Sequence, residues 1–311
     1  MNVFTDISQV TEDKNTVVTV GTFDGFHLGH KEIVNRALGI ASPLGARNFL
    51  VTFEPHPRSV VSKDFELKLL TTLDEKLHLF EEAGIENVLV VNFTQELSEL
   101  TSDEFFERYI GKIGLRELVI GYDHRLGKNR DGDESKLREI GLRDSFGVSI
   151  VQAVRIQGDT VSSTKVRQAI LDGNIEKANK YLGRNYSFKG TVVKGAMRGR
   201  TLGFPTANIA SAKKEKLLPS KGVYVVEIVV SGSPKHGIMN IGMRPTFGDT
   251  PELITEVNIF NLNHDIYGEE VEVKVLARLR QEKKFSSKEE LIRQIEEDKK
   301  EALNFINNLN N

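Results

Sequence analysis

The chain has 311 residues, 39% hydrophobic and 28% charged, the balance of an ordinary globular protein with material for two domains. Its 42 Lys and Arg nearly match its 44 Asp and Glu, so the global basic field of a nucleic-acid-binding protein is absent. No cysteine is present, which removes disulfides, thiolate zinc sites and cysteine nucleophiles and makes the cytoplasm the expected location. The N-terminal MNVFTDISQVTEDKN has no basic n-region or apolar core, and VYVVEIVV is short and broken by Glu227. Neither a signal peptide nor a membrane span is expected.

Up to about residue 182, short β-rich runs alternate with helical patterns. The expected strands are residues 17–20, 49–53, 88–91, 118–120 and 148–154. Ile33, Val34, Ala37, Leu38 and Ala41 give the helical period after the first strand, and Thr72 with Glu75 and Thr101 with Glu104 have capping-box spacing. Gly84 stands where a C-cap glycine belongs. This alternation predicts a doubly wound parallel sheet with its ligand crevice at the carboxyl ends of the strands. From Tyr186 onward the β-rich segments 188–193, 223–230, 237–241, 254–260 and 271–277 predict a small antiparallel barrel. Ser286 and Glu289 then open a closing helix with Leu291, Ile292, Ile295, Ala302, Phe305 and Ile306 on one face and its charges on a solvated side. The boundary falls near 182–186, giving domains of 1–183 and 184–311, with no internal repeat.

The stretch GTFDGFHLGH, Gly21 to His30, joins the first strand to the first helix. A helix N-terminus offers unpaired N–H donors and partial positive charge, and glycines let phosphate approach the backbone. His27 and His30, one turn apart, would point at the same phosphates. A metal site is the competing use of His-x-x-His, but no nearby thiolate or third ligand completes one. Three later segments also reach toward the crevice. In TFEPHP, His56 is either a ligand contact or a solvent-facing loop residue. GYDHRLGKNRDG carries Asp123, Arg125, Lys128 and Arg130 between glycines, which suits an anionic ligand or an exposed loop. SSTKVR puts hydroxyls at a helix start, where simple N-capping is the alternative.

The first string resembles the signature of the nucleotidylyltransferase superfamily. The order GTFDGFHLGH, TFEPHP, LTTLDEK, GYDHRLGKNRDG, SSTKVR is similar to the adenylyltransferase half of prokaryotic bifunctional riboflavin kinase/FAD synthetases. That resemblance implies catalytic His27 and His30 on the ATP phosphates, and an ATP and substrate site including Gly21, Phe23, Asp24, Gly25 and Gly29. Ser162, Ser163, Thr164 and Arg167 would close on the nucleotide, with Asp123 and Arg130 at the nucleotide and flavin crevice. Leu126 stands where Phe is expected in many relatives, a change of packing more than of chemistry.

In the second half, RGRTLGFPTANI places glycines beside basic residues and ends in two side-chain oxygens suited to a hard cation, although a glycine-rich turn and a strand start give the same composition. Its PTAN resembles the mark of the riboflavin kinases. The resemblance implies ATP and substrate contacts at Gly195, Arg200, Gly203 and Pro205, Mg²⁺ ligands at Thr206 and Asn208, and Glu256 as base for the riboflavin 5′-hydroxyl. From spacing alone Glu256 reads first as an exposed strand carboxylate in a cross-strand pair. Asn258 stands where many relatives have His. The implied activity is riboflavin plus ATP to FMN, then FMN plus ATP to FAD and pyrophosphate. The partners are small molecules only, with neither nucleic acid nor membrane. The alternatives are a kinase with an impaired adenylyltransferase site and a non-catalytic flavin-binding regulator.

Overall fold

The computed structural model describes residues 1–62, 67–195, 203–244 and 252–309. The chain divides into two compact units, Met1–Ser163 and Thr164–Asn311.

In the first unit, β1 (Asn2–Phe4), β2 (Thr16–Val20), β3 (Arg47–Glu54), β4 (Asn87–Asn92), β5 (Glu117–Gly121) and β6 (Gly147–Val151) form one all-parallel sheet in the order β1-β4-β3-β2-β5-β6. The helices are α1 (Leu28–Ala41), α2 (Pro57–Val61), α3 (Leu73–Glu82), α4 (Gln95–Ser98), α5 (Ser102–Phe105), α6 (Gly111–Ile113) and α7 (Glu134–Asp144), with a π-helical turn at Phe106–Ile110. The strand alternation separates two cores. Phe49, Val51 and Phe53 join Leu89, Val91, Leu118 and Ile120 on one face, while Leu50, Val88 and Val90 meet Val34 and Phe80 on the other. Both faces are covered, which is the expected doubly wound arrangement. The chain winds outward from β2 through β3 to β4, then returns to β5 beside β2. The reversal lies between β2 and β5, the switch point outside whose carboxyl ends such sheets take their ligands.

Two sequence expectations differ here. β1 was not anticipated: three residues at a sheet edge carry no readable period, yet Asn2, Val3 and Phe4 pair in register with Asn87, Val88 and Leu89. The strand expected over 148–154 stops at Val151, and the chain folds back as a hairpin of β7 (Arg155–Ile156) and β8 (Asp159–Thr160). Gln157 and Gly158 make that turn with φ of 53° and 86°.

Among the described residues three helices follow along the chain: α8 (Ser163–Leu171), α9 (Ile175–Leu182) and, later, α10 (Lys288–Leu309). In the second unit, β9 (Tyr186–Val193), β10 (Ala207–Ser211), β11 (Gly222–Val230), β12 (Ser233–Arg244), β13 (Glu252–Ile259) and β14 (Glu270–Arg280) close an antiparallel barrel in the order β10-β13-β12-β11-β14-β9. Closure leaves no unpaired edge. On α10, Ala302 and Ile306 pack on Val225 and Leu276. Asp298 corrects the reading of its charges as a solvated side: it is buried and takes the Arg280 guanidinium in two short bonds, Nε to Oδ1 at 2.9 Å and Nη2 to Oδ2 at 2.8 Å. A buried carboxylate needs such a partner. Among the described residues no helix is long and apolar enough to cross a membrane.

Candidate active sites

The first site is built at the carboxyl end of β2. Gly21 N still bonds to Val51 O at 3.0 Å, so the chain leaves the sheet only after that residue. Phe23 and Phe26 then adopt φ of 48° and 37°, a region costly to residues with a side chain. Both rings are about fully buried and set edge-on against Phe80, with centroids at 5.7 and 5.3 Å, so core packing holds the strained turn. Gly25 has φ of 80°, and a Cβ there would stand 2.6 Å from Leu70 Cδ1.

The turn delivers His27 to the N-cap of α1. Its Nδ1 accepts the His30 backbone N–H at 3.3 Å, which leaves the ring proton of neutral His27 on Nε2. The two imidazoles stack, with centroids 3.7 Å apart and planes at 16°. Gly29 permits this, since a Cβ would lie 3.1 Å from His27 Cε1. Burial first, then the neighbouring His27 and Lys76, holds His30 well below the ordinary imidazole pKa. Its Nδ1 is buried and makes no hydrogen bond, a costly state for a polar atom in the absence of a ligand. A neutral imidazole pair at the positive end of a 14-residue helix is a recognition surface for anionic oxygens.

Asp24 is buried and its carboxylate turns inward. It accepts Thr71 N at 2.9 Å, Leu70 N at 3.2 Å and the Thr71 hydroxyl at 3.2 Å, while Gly25 N donates to Thr71 Oγ1 at 2.9 Å. This clasp joins the histidine turn to the start of α3, where Thr72 and Glu75 form the expected capping box. From another direction, Ser163 Oγ donates to Asp24 O at 2.9 Å, which brings SSTKVR and GTFDGFHLGH together. Thr164 and Arg167 follow Ser163 on α8, and Ser162 immediately precedes it.

Lys76, which lies near enough to His30 to act on it electrostatically, was not singled out by the sequence analysis. It is only 3% exposed; its ammonium donates to Phe53 O at 3.3 Å and lies 3.7 Å from Glu54 Oε2. Burial lowers its pKa, opposed by Glu54 and Asp24. The available signal was its place on the inner stripe of α3 beside Leu73, Leu77 and Phe80, where a lysine must find partners.

Asp123 lies just past β5, exposed, in a turn where His124 N bonds to Gly121 O at 3.0 Å. A Cβ on Gly121 would meet Ile33 of α1 at 3.1 Å, so this turn and α1 share the carboxyl edge of the sheet. His124 is pushed down to about 4 by burial and then by Arg125. Leu126 is buried in the core, as its packing role implies. Lys128 pairs with Glu99 at 2.7 Å, and the Arg130 side chain lies outside the described residues. His56 is not a solvent-facing loop residue: it is the buried N-cap of α2, its Nδ1 accepting Arg58 N at 3.1 Å.

The second site is built on the barrel ladder. Asn208 on β10 stands directly opposite Glu256 on β13, which in turn faces Asn240 on β12. Direct cross-strand partners share a face with Cβ atoms about 5 Å apart. Asn208 is buried, and the Gly195 backbone lies so close that a Cβ there would stand 2.7 Å from Asn208 Oδ1. Thr206, two residues before Asn208, is half-buried. Gly203 has φ of 86°, and Pro205 O accepts Asn258 Nδ2 at 2.7 Å. Arg200 lies outside the described residues.

Two family models match the chain in tandem: FAD synthetase over residues 9–165 and riboflavin kinase over 182–306. A bifunctional riboflavin kinase/FMN adenylyltransferase of Listeria monocytogenes is 39% identical over 94% of this chain and 93% of its own. The chain belongs to the bifunctional riboflavin kinase/FMN adenylyltransferase family. The Bacillus subtilis protein of that name is 37% identical over 96% of this chain and 95% of its own. A solved Streptococcus pneumoniae structure titled as a macrolide-efflux protein covers 97% of this chain and 98% of its own, with a TM-score of 0.90 and 32% identity. The two family matches meet the two units built above, one on the doubly wound sheet and one on the barrel.

Proposed function

We infer that this chain makes FMN from riboflavin and ATP on its barrel and FAD from FMN and a second ATP on its parallel sheet, with the residues above in the following roles. The observation that carries the reading is the presence, in one chain, of a stacked neutral His27–His30 pair at a helix N-terminus and an in-register Asn208–Glu256 pair on a closed barrel.

In the adenylyltransferase, an FMN phosphate oxygen attacks the α-phosphorus of ATP and pyrophosphate leaves. No covalent enzyme intermediate is needed, so catalysis consists of positioning and charge stabilisation. His27 and His30 stand at the N-terminus of α1, where partial positive charge favours the ATP phosphates. Asp24 acts on the turn that carries them, holding its backbone, while Ser163 ties the closing segment to that turn. Ser162, Thr164, Arg167, Asp123 and Arg130 supply further contacts to nucleotide and flavin. We keep the division of activities at residues 183/184, which leaves α8 and α9 with the adenylyltransferase.

In the kinase, the Glu256 carboxylate takes the proton of the riboflavin 5′-hydroxyl as that oxygen attacks the γ-phosphorus. Thr206 and Asn208 fit a Mg²⁺ ion: both are neutral oxygen donors two residues apart, and Gly195 leaves the Asn208 amide a space that a Cβ would fill. Mg²⁺ there would offset charge on the ATP phosphates. Gly195, Gly203 and Pro205 would take the ATP side, and the resemblance adds Arg200, which lies outside the described residues.

A chromatographic time course with riboflavin, ATP and Mg²⁺ tests the reading. FMN appears first and FAD after it; FMN alone would remove the adenylyltransferase assignment, and neither product from folded protein would remove both.

A further inference from the structure

We propose that Asn258 is a positioning residue of the kinase: its side-chain amide adds a cross-strand hydrogen bond to the Pro205 carbonyl, at a step where Pro205 has no N–H to donate, and so holds Asn208 opposite Glu256 and Thr206 beside it. The inference rests on the kinase reading above and concerns how that site is held in register.

The β10–β13 ladder pairs Ala207 with Val257 and Asn208 with Glu256. Continued one step, its register would set Thr206 opposite Asn258 and Pro205 opposite Ile259. Pro205 has no N–H and cannot extend the ladder from its own side. The strand therefore begins only at Ala207, so that Asn208 lies just inside it and Thr206 just outside it. Asn258 Nδ2 donates to Pro205 O at 2.7 Å, across 53 residues of sequence, and adds one cross-strand bond there. The donor itself is firmly based. Asn258 pairs with Ile238 on β12, and Gly237 approaches so closely that a Cβ would stand 2.4 Å from Asn258 O. Asn258 and Glu256, two residues apart on one strand, share a face. A single strand thus carries the base and the tether for the segment bearing Thr206 and Asn208.

A contact of this kind, acting through a ligand, is worth about 10- to 100-fold in metal affinity or activity. Asn258→Asp is close to isosteric but turns an acceptor toward the Pro205 carbonyl. Asn258→Ala removes the donor without that repulsion. Asn258→His returns an N–H, because histidine Nδ1 stands as many bonds from the backbone as asparagine Nδ2. The measurements are kcat and KM for FMN formation across a Mg²⁺ titration, and calorimetric binding of ADP in the presence of Mn²⁺. FAD formation from supplied FMN reports that the chain is folded, and barrel melting reports the second unit.

The expected result is a 10- to 100-fold loss of kcat/KM with a raised Mg²⁺ requirement and weaker Mn²⁺-ADP binding in Asn258→Ala. Asn258→Asp falls lower, and Asn258→His recovers most of the loss. Wild-type values of kcat/KM and Mn²⁺-ADP binding in Asn258→Ala, or no recovery by His in a barrel that melts normally, would overturn the proposal. A wild-type chain that makes no FMN would instead overturn the kinase reading itself.

Discussion

The two sites are held together by different physics. On the parallel sheet, His27 and His30 are neighbours in sequence, and the work of the fold is to hold a strained turn: Phe23 and Phe26 at positive φ are pinned by Phe80, and Asp24 clasps the backbone of residues 70 and 71. On the barrel, Asn208 and Glu256 come from neighbouring strands that are far apart in sequence, and strand register sets them opposite one another. The first site is therefore sensitive to changes that release the turn, the second to changes that shift the ladder.

The largest effect expected from breaking this division is at Glu256. Glu256→Gln lowers FMN formation by roughly 10²- to 10⁴-fold, the range for loss of a general base, while FAD formation from supplied FMN stays at the wild-type rate; equal loss of both would signal misfolding. His30→Ala is the mirror experiment, slowing FAD formation by roughly 10²- to 10³-fold with FMN formation retained. Unchanged FAD synthesis would remove His30 from the site.

Gly25→Ala sharpens the comparison through stability. A side chain at φ of 80° with its Cβ 2.6 Å from Leu70 strains the first unit, by about 1–3 kcal/mol. FAD formation should be lost on heating before FMN formation, and simultaneous loss would contradict the separate bracing of the two sites. The smallest effect is in pH. His124 binds a proton near 6.5 when unfolded but only near about 4 when folded. Unfolding takes up a proton between those values, so the stability of the first unit falls as pH drops from about 6.5 toward 4. Urea titrations should show a shallower fall over that window in His124→Gln.

The same contrast explains what the sequence made legible. The doubly wound sheet and the histidine turn could be read because strand, glycine turn and helix are contiguous, and local physics decides them. The barrel was expected from spacing, but β10 emerged only as a strand start, since Pro205 and the preceding glycines hide a five-residue strand. The opposition of Asn208 and Glu256 is a register, which no local pattern encodes. Lys76 and Asp298 were missed for one reason: a charge on a helix reads as solvated until a partner from another element, Glu54 or Arg280, accounts for its burial. Asp24 was read as a site residue, but the direction of its carboxylate could not be read, because its partners lie 46 and 47 residues away.

The most direct test of two self-sufficient sites in one chain is a mixing experiment with riboflavin, ATP and Mg²⁺. His30→Ala alone should stop at FMN, and Glu256→Gln alone should form almost no product. Mixed in equal amounts they should make FAD, the first variant supplying the FMN that the second adenylylates. Failure of the mixture to make FAD, with both variants folded and Glu256→Gln active on supplied FMN, would contradict the assignment of one reaction to each unit.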